Sequence, residues 1–190
     1  MATDQAQDEL DDDGLVVQKY PTSVLVIVPP HGFGDQSLRY ARSCLHNVHV
    51  GTKSVSTLSE EMVTGRLQDE FLVDAAVDDV DMADYAGVLV VANDGPSLLS
   101  QEARVLQLVR DAAEAGKLVA GWGNALEVLA RAGVVKGKRV TGDPEAKELA
   151  VQNGAKYTGR QIEVSNNFVT ARDEGAGMRF GQALAEIVRI

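Results

Sequence analysis

The sequence has few or none of the features that mark several protein classes. Its single cysteine, Cys44, rules out an internal disulfide framework and suits a reducing compartment such as the cytoplasm. No apolar run approaches the roughly 20 residues that a membrane-spanning helix needs. The first residues lack a basic stretch followed by an apolar one, and no basic stripe suggests nucleic-acid binding. We therefore predict a cytoplasmic protein with neither a membrane nor a nucleic-acid partner.

The negative charge is concentrated at the start of the chain. The 190 residues carry a net charge of -10, and residues 1–14 hold six acidic residues without any lysine or arginine. Such a segment is typical of a solvated, disordered leader. We predict an acidic disordered leader over residues 1–19 and one folded domain over residues 20–190.

Apolar runs and helical spacings alternate along the rest of the chain. Residues 23–28 and 85–92 are continuous apolar runs, which are typical of strands buried on both faces of a parallel sheet. Segments with helical spacing lie between the strands. This order predicts an α/β fold: a single-domain, mostly parallel flavodoxin-like sandwich with helices on both faces. A small β-hairpin excursion is expected around Thr64 and Gly65. A second hairpin is predicted over about residues 161–171, with Asn166-Asn167 as its turn.

Residues 117–133, KLVAGWGNALEVLARAG, combine a short strand, a tight turn and a helix. In α/β proteins this geometry holds a nucleophile or an anion over the end of the sheet. The turn nevertheless contains no serine, cysteine or histidine. Trp122, beside the apex, either fills space between sheet and helix or occupies the volume that a substrate would use.

Ligands of open α/β sheets bind at the carboxyl ends of the strands. The loops expected there are residues 29–37, 92–97, 121–125 and 142–144. His31, Asp35, Asp94 and Asp143 lie in these loops and form one hypothetical acid/base or metal cluster. The alternative is that the aspartates cap helices and turns.

Several segments, in order, resemble the ThiJ/PfpI family of class I glutamine-amidotransferase-like proteins. They are SVLVIVPPHGF, DYAGVLVVAND, GKLVAGWG, AGVVKGKRVTG, NGAKY and NNFVTARDEGAG. The resemblance runs from about Ser23 to Ile190 and implies the same fold and a homodimer. Active members place a cysteine at the turn with a glutamate beside it.

This chain departs from the family pattern at each position tied to the cysteine. The resemblance places Gly123 at the cysteine position, Asn124 after it and Ser37 at the glutamate position. The family's Gly-Gly pair appears as Asn93-Asp94, and Asp143 stands where some members have histidine. A strained turn costs a non-glycine residue roughly 1–3 kcal/mol, whereas glycine accepts positive φ, so the turn persists without the thiol.

The preferred hypothesis is a noncatalytic family member, either a pseudoenzyme or a module that binds a small ligand or a protein, without cofactor or metal. Its predicted pocket is lined by Ser37, Asn93, Asp94, Gly123, Asn124 and Asp143, with His31, Asp35 and Trp122 at the rim. One alternative is a hydrolase or lyase that acts on a small carbonyl compound through His31 and the aspartates. A purely structural or regulatory subunit is the third hypothesis. Cys44 is expected to be a packing residue on the first helix.

Overall fold

The computed structural model describes residues 8–10, 16–18, 20–57, 62–92 and 98–189. The strands are β1 (Asp8–Leu10), β2 (Val16–Gln18), β3 (Thr22–Ile27), β4 (His31–Phe33), β5 (Val50–Ser56), β6 (Met62–Gly65), β7 (Glu70–Leu72), β8 (Ala75–Ala76), β9 (Gly87–Ala92), β10 (Leu118–Gly123), β11 (Arg139–Val140), β12 (Lys156–Tyr157), β13 (Ile162–Ser165) and β14 (Phe168–Ala171). The α-helices are α1 (Asp35–His46), α2 (Ala103–Glu114), α3 (Ala125–Arg131), α4 (Lys147–Gln152) and α5 (Met178–Val188).

Seven strands form the central sheet in the order β13-β14-β10-β9-β3-β5-β8. Every neighbouring pair is parallel except β13 with β14, which form a hairpin at one edge. The left-handed Asn166, with φ of 58°, makes the hairpin turn. The predicted mostly parallel α/β fold is confirmed.

Helices cover both faces of this sheet, as predicted. Alternate residues of β3 divide between two cores: Val24 and Val26 join the core beneath α1 and α5, whereas Leu25 and Ile27 join the core beneath α2, α3 and α4. This alternation follows from the two-residue period of a strand. It explains why the central strands read as unbroken apolar runs, because both of their faces are buried.

A separate three-stranded sheet, in the order β4-β6-β7, contains the predicted hairpin excursion. Strands β6 and β7 pair antiparallel, and β4 pairs with β6 in parallel. The loop expected over residues 29–34 thus contains a short strand. Phe33 anchors this strand because its buried ring packs edge-on against Phe71, with the ring centroids 5.4 Å apart.

Two short strands lie within the predicted leader. Asp8–Leu10 and Val16–Gln18 pair antiparallel, so regular structure interrupts the segment that was predicted to be disordered. The rest of residues 1–19 lies outside the described residues. Among the described helices, none has the length and apolar character needed to cross a bilayer.

Candidate functional site

The turn at residues 121–125, here called the elbow, follows the strand β10 in the middle of the sheet. Gly123 ends that strand with φ of 61°, a left-handed conformation that favours glycine. Asn124 already has helical angles, with φ of -66° and ψ of -10°, and α3 begins at Ala125. The chain thus passes from strand to helix within two residues, which is the geometry that the sequence predicted.

The loop after β11 packs directly on the elbow. The Asp143 N–H donates to the Gly123 carbonyl oxygen at 3.1 Å. A Cβ atom at Gly142 would lie 2.9 Å from that same oxygen, so a larger residue would force the two segments apart. The Tyr157 hydroxyl donates to the Gly142 carbonyl oxygen at 2.8 Å, and burial raises the pKa of this phenol. The structure therefore brings the predicted pocket residues Gly123, Asn124 and Asp143 together.

Asp143 also caps the turn that follows it. Its carboxylate accepts the Glu145 N–H at 2.9 Å, and Pro144 occupies the first position of a 3-10 turn, Pro144–Ala146. This is the capping role weighed for Asp143 in the sequence. The carboxylate is half-buried at the edge of the elbow.

Asp35 has a different role from the one predicted. The predicted N-cap role is wrong, because Gly34 is the N-cap and Asp35 is the first residue of α1. Its side chain is 2% exposed and accepts two backbone N–H groups of the hairpin excursion, from Leu67 at 2.7 Å and Asp69 at 3.1 Å. A Cβ atom at Gly65 would lie 1.9 Å from Oδ1 of Asp35. We call this arrangement the hairpin clamp.

Ser37 and Trp122 are fully buried polar residues whose polar atoms have no hydrogen-bond partner. Ser37 is 0% exposed on the first turn of α1, and its Oγ makes no hydrogen bond. The Trp122 indole packs edge-on against Phe180 of α5 with 4.7 Å between ring centroids, and its Nε1 is likewise unpaired. Trp122 therefore fills space between the sheet and α5. An unpaired buried polar atom lowers stability by about 1–3 kcal/mol, and most buried polar atoms in proteins are hydrogen-bonded. Ser37 and Trp122 are therefore exceptions to this rule.

Of the remaining predicted site residues, the structure describes only His31. His31 is exposed on β4, opposite Thr64 of the excursion. Asn93 and Asp94 lie outside the described residues. In the parts of the chain that the structure describes, no three His, Cys, Asp or Glu side chains are grouped as metal ligands. The hypothetical cluster of His31 with the aspartates is thus not assembled by the residues described.

Cys44 lies between helices α1 and α5. Its thiol is buried and lies 3.9 Å from the Met178 carbonyl oxygen, and burial raises its pKa. A raised pKa leaves little thiolate at neutral pH, so this cysteine is a poor nucleophile.

One polar cluster was missed in the sequence. Glu163 of β13 is buried and forms ion pairs with Arg139 and Arg160. The signal available in the sequence was a glutamate inside the apolar strand IEVS, three residues after Arg160. The pair with Arg139 was not predictable from the local pattern, because Arg139 lies on a different strand.

Known proteins share both the sequence pattern and the fold. The model of the DJ-1/PfpI family matches residues 22–187. An uncharacterized protein of Methanocaldococcus jannaschii is 30% identical over 161 residues, which is 83% of this chain and 78% of that protein. A deglycase of Thermococcus kodakarensis is 25% identical over 153 residues, covering 80% of this chain and 90% of the deglycase.

The solved structures agree with the sequence comparison. The crystal structure of a ThiJ/PfpI domain protein from Brachyspira murdochii superposes with a TM-score of 0.83 at 21% identity. The match covers 90% of this chain and 98% of that protein. At this identity the likeness establishes the fold alone.

Proposed function

Because the chain belongs to the DJ-1/PfpI family, we propose that it is a noncatalytic member that binds a small molecule or a partner protein. The observation that carries the proposal is Gly123, which stands at the apex of the elbow with φ of 61°. A residue without a side chain supplies neither a nucleophile nor a proton donor there. The elbow geometry persists because glycine adopts this conformation without strain.

The glutamate position supports the same conclusion. The family resemblance assigns that position to Ser37, whose hydroxyl is buried without a partner. A serine hydroxyl neither carries the charge of a glutamate nor reaches as far. The two changes, at Gly123 and Ser37, remove the thiol and its acid/base partner together. We infer that cysteine-dependent deglycase, amidase or protease chemistry is absent from this chain.

The proposed ligand pocket lies over the elbow. The lining predicted from the sequence is Ser37, Gly123, Asn124 and Asp143, together with Asn93 and Asp94, which lie outside the described residues. We further propose that the protein is a cytoplasmic homodimer, since that assembly follows from the resemblance to the family. No resident cofactor or metal is part of this proposal.

The alternative function is a hydrolase or lyase for a small carbonyl compound, with the chemistry moved to His31 and the aspartates. Two observations weigh against it. The Asp35 carboxylate is already occupied by two backbone N–H groups, and His31 is exposed on a different small sheet. A general base needs its carboxylate or imidazole within reach of the substrate proton.

Turnover assays separate the two functions. We expect the full chain to show no deglycase, amidase or esterase turnover above that of buffer, and Cys44→Ala to behave identically. Turnover that survives Cys44→Ala but disappears in His31→Ala or Asp143→Ala would contradict the noncatalytic proposal. It would favour the relocated hydrolase or lyase instead.

A restored thiol tests the assignment of the elbow itself. In a Cys44→Ala background, Gly123→Cys with Ser37→Glu is expected to react with iodoacetamide on the order of tenfold faster than Cys44 does in the unmodified chain, because a thiol at the start of α3 gains thiolate character, whereas burial raises the pKa of Cys44. Gly123→Cys alone is the companion variant in case the buried glutamate prevents folding. If the folded variants stay unreactive, Gly123 does not occupy the family's cysteine position.

A further inference from the structure

A buried carboxylate at the sheet edge holds two exposed arginines from different segments. The Glu163 side chain is 3% exposed, whereas Arg139 and Arg160 are 60% and 74% exposed. Arg139 Nε lies 3.2 Å from Oε2 of Glu163, and Arg160 Nη1 lies 3.4 Å from Oε1. The two guanidinium groups therefore converge on the two oxygens of one carboxylate. We call these three residues the arginine pair site.

Hydrogen bonds between side chains and backbone groups fix the segments that carry these arginines. Arg139 Nη2 donates to the Val164 carbonyl oxygen at 3.4 Å. The Thr141 hydroxyl donates to the Arg160 carbonyl oxygen at 2.5 Å, and the Thr141 N–H donates to Thr170 Oγ1 at 2.9 Å. The loop that carries Arg160 is thus tied to Thr141, which directly follows the strand β11 that contains Arg139. Arginines held in this way lose less conformational entropy when they bind an anion.

The site carries more positive charge than Glu163 neutralises. Lys156 is the register partner of Arg139 in the parallel pair β11–β12 and is also exposed. Like charges placed opposite each other on neighbouring strands are destabilising. Residues 131–172 contain eight basic and four acidic residues, although the whole chain carries a net charge of -10. This local excess of positive charge contrasts with the net negative charge of the rest of the chain.

The guanidinium groups retain donors for a further acceptor. Arg139 uses two of its N–H donors, toward Glu163 and Val164, and a guanidinium group has five. Arg160 is ion-paired through one nitrogen. Planar guanidinium groups match the oxygen spacing of carboxylates and phosphates and bind them in a bidentate manner.

We propose that Arg139 and Arg160, with Lys156 beside them, bind the phosphate or carboxylate group of an anionic small molecule. Glu163 is the positioning residue, because it is hydrogen-bonded to Arg139 and ion-paired with Arg160. Arg139 lies on the strand that leads into the Asp143 loop, and the Asp143 N–H is bonded to Gly123 of the elbow. The proposal does not depend on whether the elbow is catalytic.

Titration of the full chain with inorganic phosphate and with citrate tests this site. The ionic strength is held constant with sodium chloride, and the arginine Nε–H resonances are followed by NMR. We expect saturable shifts of Arg139 and Arg160, and an affinity at least about tenfold weaker in Arg139→Gln with Arg160→Gln. Tighter binding of phosphate than of citrate identifies a phosphate group as the ligand. Tighter binding of citrate identifies a carboxylate.

Arg131→Gln is the matched control. Arg131 is 46% exposed and paired with Glu127 one helical turn away, so Arg131→Gln removes one positive charge from another ion pair, as the single variant Arg160→Gln does at the site. Its anion affinity is expected to equal that of the unmodified chain. Equal weakening in the control, or no saturable shift with either anion, would overturn the proposal.

Two further variants separate bidentate binding from simple charge. Arg139→Lys with Arg160→Lys keeps the charge but loses the planar fork, so we expect an affinity several-fold weaker than that of the unmodified chain. Unchanged affinity in this variant would refute bidentate recognition. Circular dichroism checks folding, and if the double glutamine variant unfolds, Arg160→Gln alone carries the test, because Arg139 keeps its pair with Glu163.

Discussion

Asp35 and Ser37 stand two residues apart on the first turn of α1, and both are buried. Asp35, at 2% exposure, satisfies its charge with two N–H groups of the hairpin clamp. Ser37, at 0% exposure, leaves its hydroxyl without a partner. The clamp joins the excursion to the domain, whereas the Ser37 hydroxyl contributes no hydrogen bond to the fold. A carboxylate with a structural role and a hydroxyl without a partner therefore lie on one helical turn.

The comparison extends to the elbow. Gly123 keeps the backbone conformation of a nucleophile turn without any side chain. The elbow has no side chain at its apex and Ser37 has an unpaired hydroxyl, whereas the Asp35 carboxylate of the clamp has a structural role. If this contrast is correct, substitutions at the clamp cost most stability and substitutions at Ser37 cost least.

The largest effect is expected at the clamp. Asp35→Ala removes a buried acceptor and leaves the Leu67 and Asp69 N–H groups without their partner, so we expect a loss of about 3 kcal/mol in the free energy of unfolding. Urea denaturation measures this loss. Amide hydrogen exchange at Leu67 and Asp69 should accelerate in the same variant.

Arg39→Ala is the control for the clamp. Arg39 pairs with the Asp69 carboxylate on the surface of the excursion, and such an exposed pair contributes roughly 0–1 kcal/mol. If Asp35→Ala is no more destabilising than Arg39→Ala, the clamp is not what holds the excursion to the domain.

An intermediate effect is expected at the elbow. Gly123→Ala forces a side chain into the left-handed region, at a cost of about 1–2 kcal/mol. Gly116→Ala is the matched control, because Gly116 has φ of 69° and a Cβ atom there would meet no atom within 4 Å. A loss at Gly123 well above that at Gly116 would show that packing adds to backbone strain. No loss at Gly123 would contradict the strained geometry of the elbow.

The smallest effect is expected at Ser37. Ser37→Ala removes the desolvation cost of a hydroxyl that has no partner but leaves a small void where the oxygen packed, so the free energy of unfolding should change by less than about 0.5 kcal/mol or rise slightly. Ser56→Ala is the control, since Ser56 is equally buried but donates to the Val28 carbonyl oxygen at 2.9 Å, and should cost about 1 kcal/mol. Equal losses in the two variants would mean that Ser37 has a hydrogen-bond partner after all.

Local pattern was sufficient for the architecture. The apolar runs of β3 and β9 predicted buried parallel strands, and the Asn166–Asn167 dipeptide predicted the edge hairpin. The Asp143–Pro144 pair predicted a capped turn, which the structure contains. These features depend on residues adjacent in sequence or on a fixed period of apolar residues, so they can be predicted without tertiary information.

Hydrogen-bond and ion-pair partners that are distant in the sequence could not be predicted from the local pattern. Asp35 was expected to cap its own helix, but the hairpin excursion, more than 30 residues later, brings two unpaired N–H groups to its carboxylate. Glu163 similarly meets Arg139 only because β11 and β13 are brought together at the edge of the fold. The sequence shows which polar groups a segment carries. It does not show which distant groups the fold brings next to them.

The sequence by itself determined the strand and helix order, the glycine at the turn and the absence of a thiol there. Each of these follows from side-chain identity and local backbone preference. Only the tertiary structure decided that Asp35 is a structural clamp, that Ser37 is buried without a partner, and that two arginines share one carboxylate. The physical reason is that the burial and pairing of a polar group depend on long-range contacts, which form when the sheet assembles.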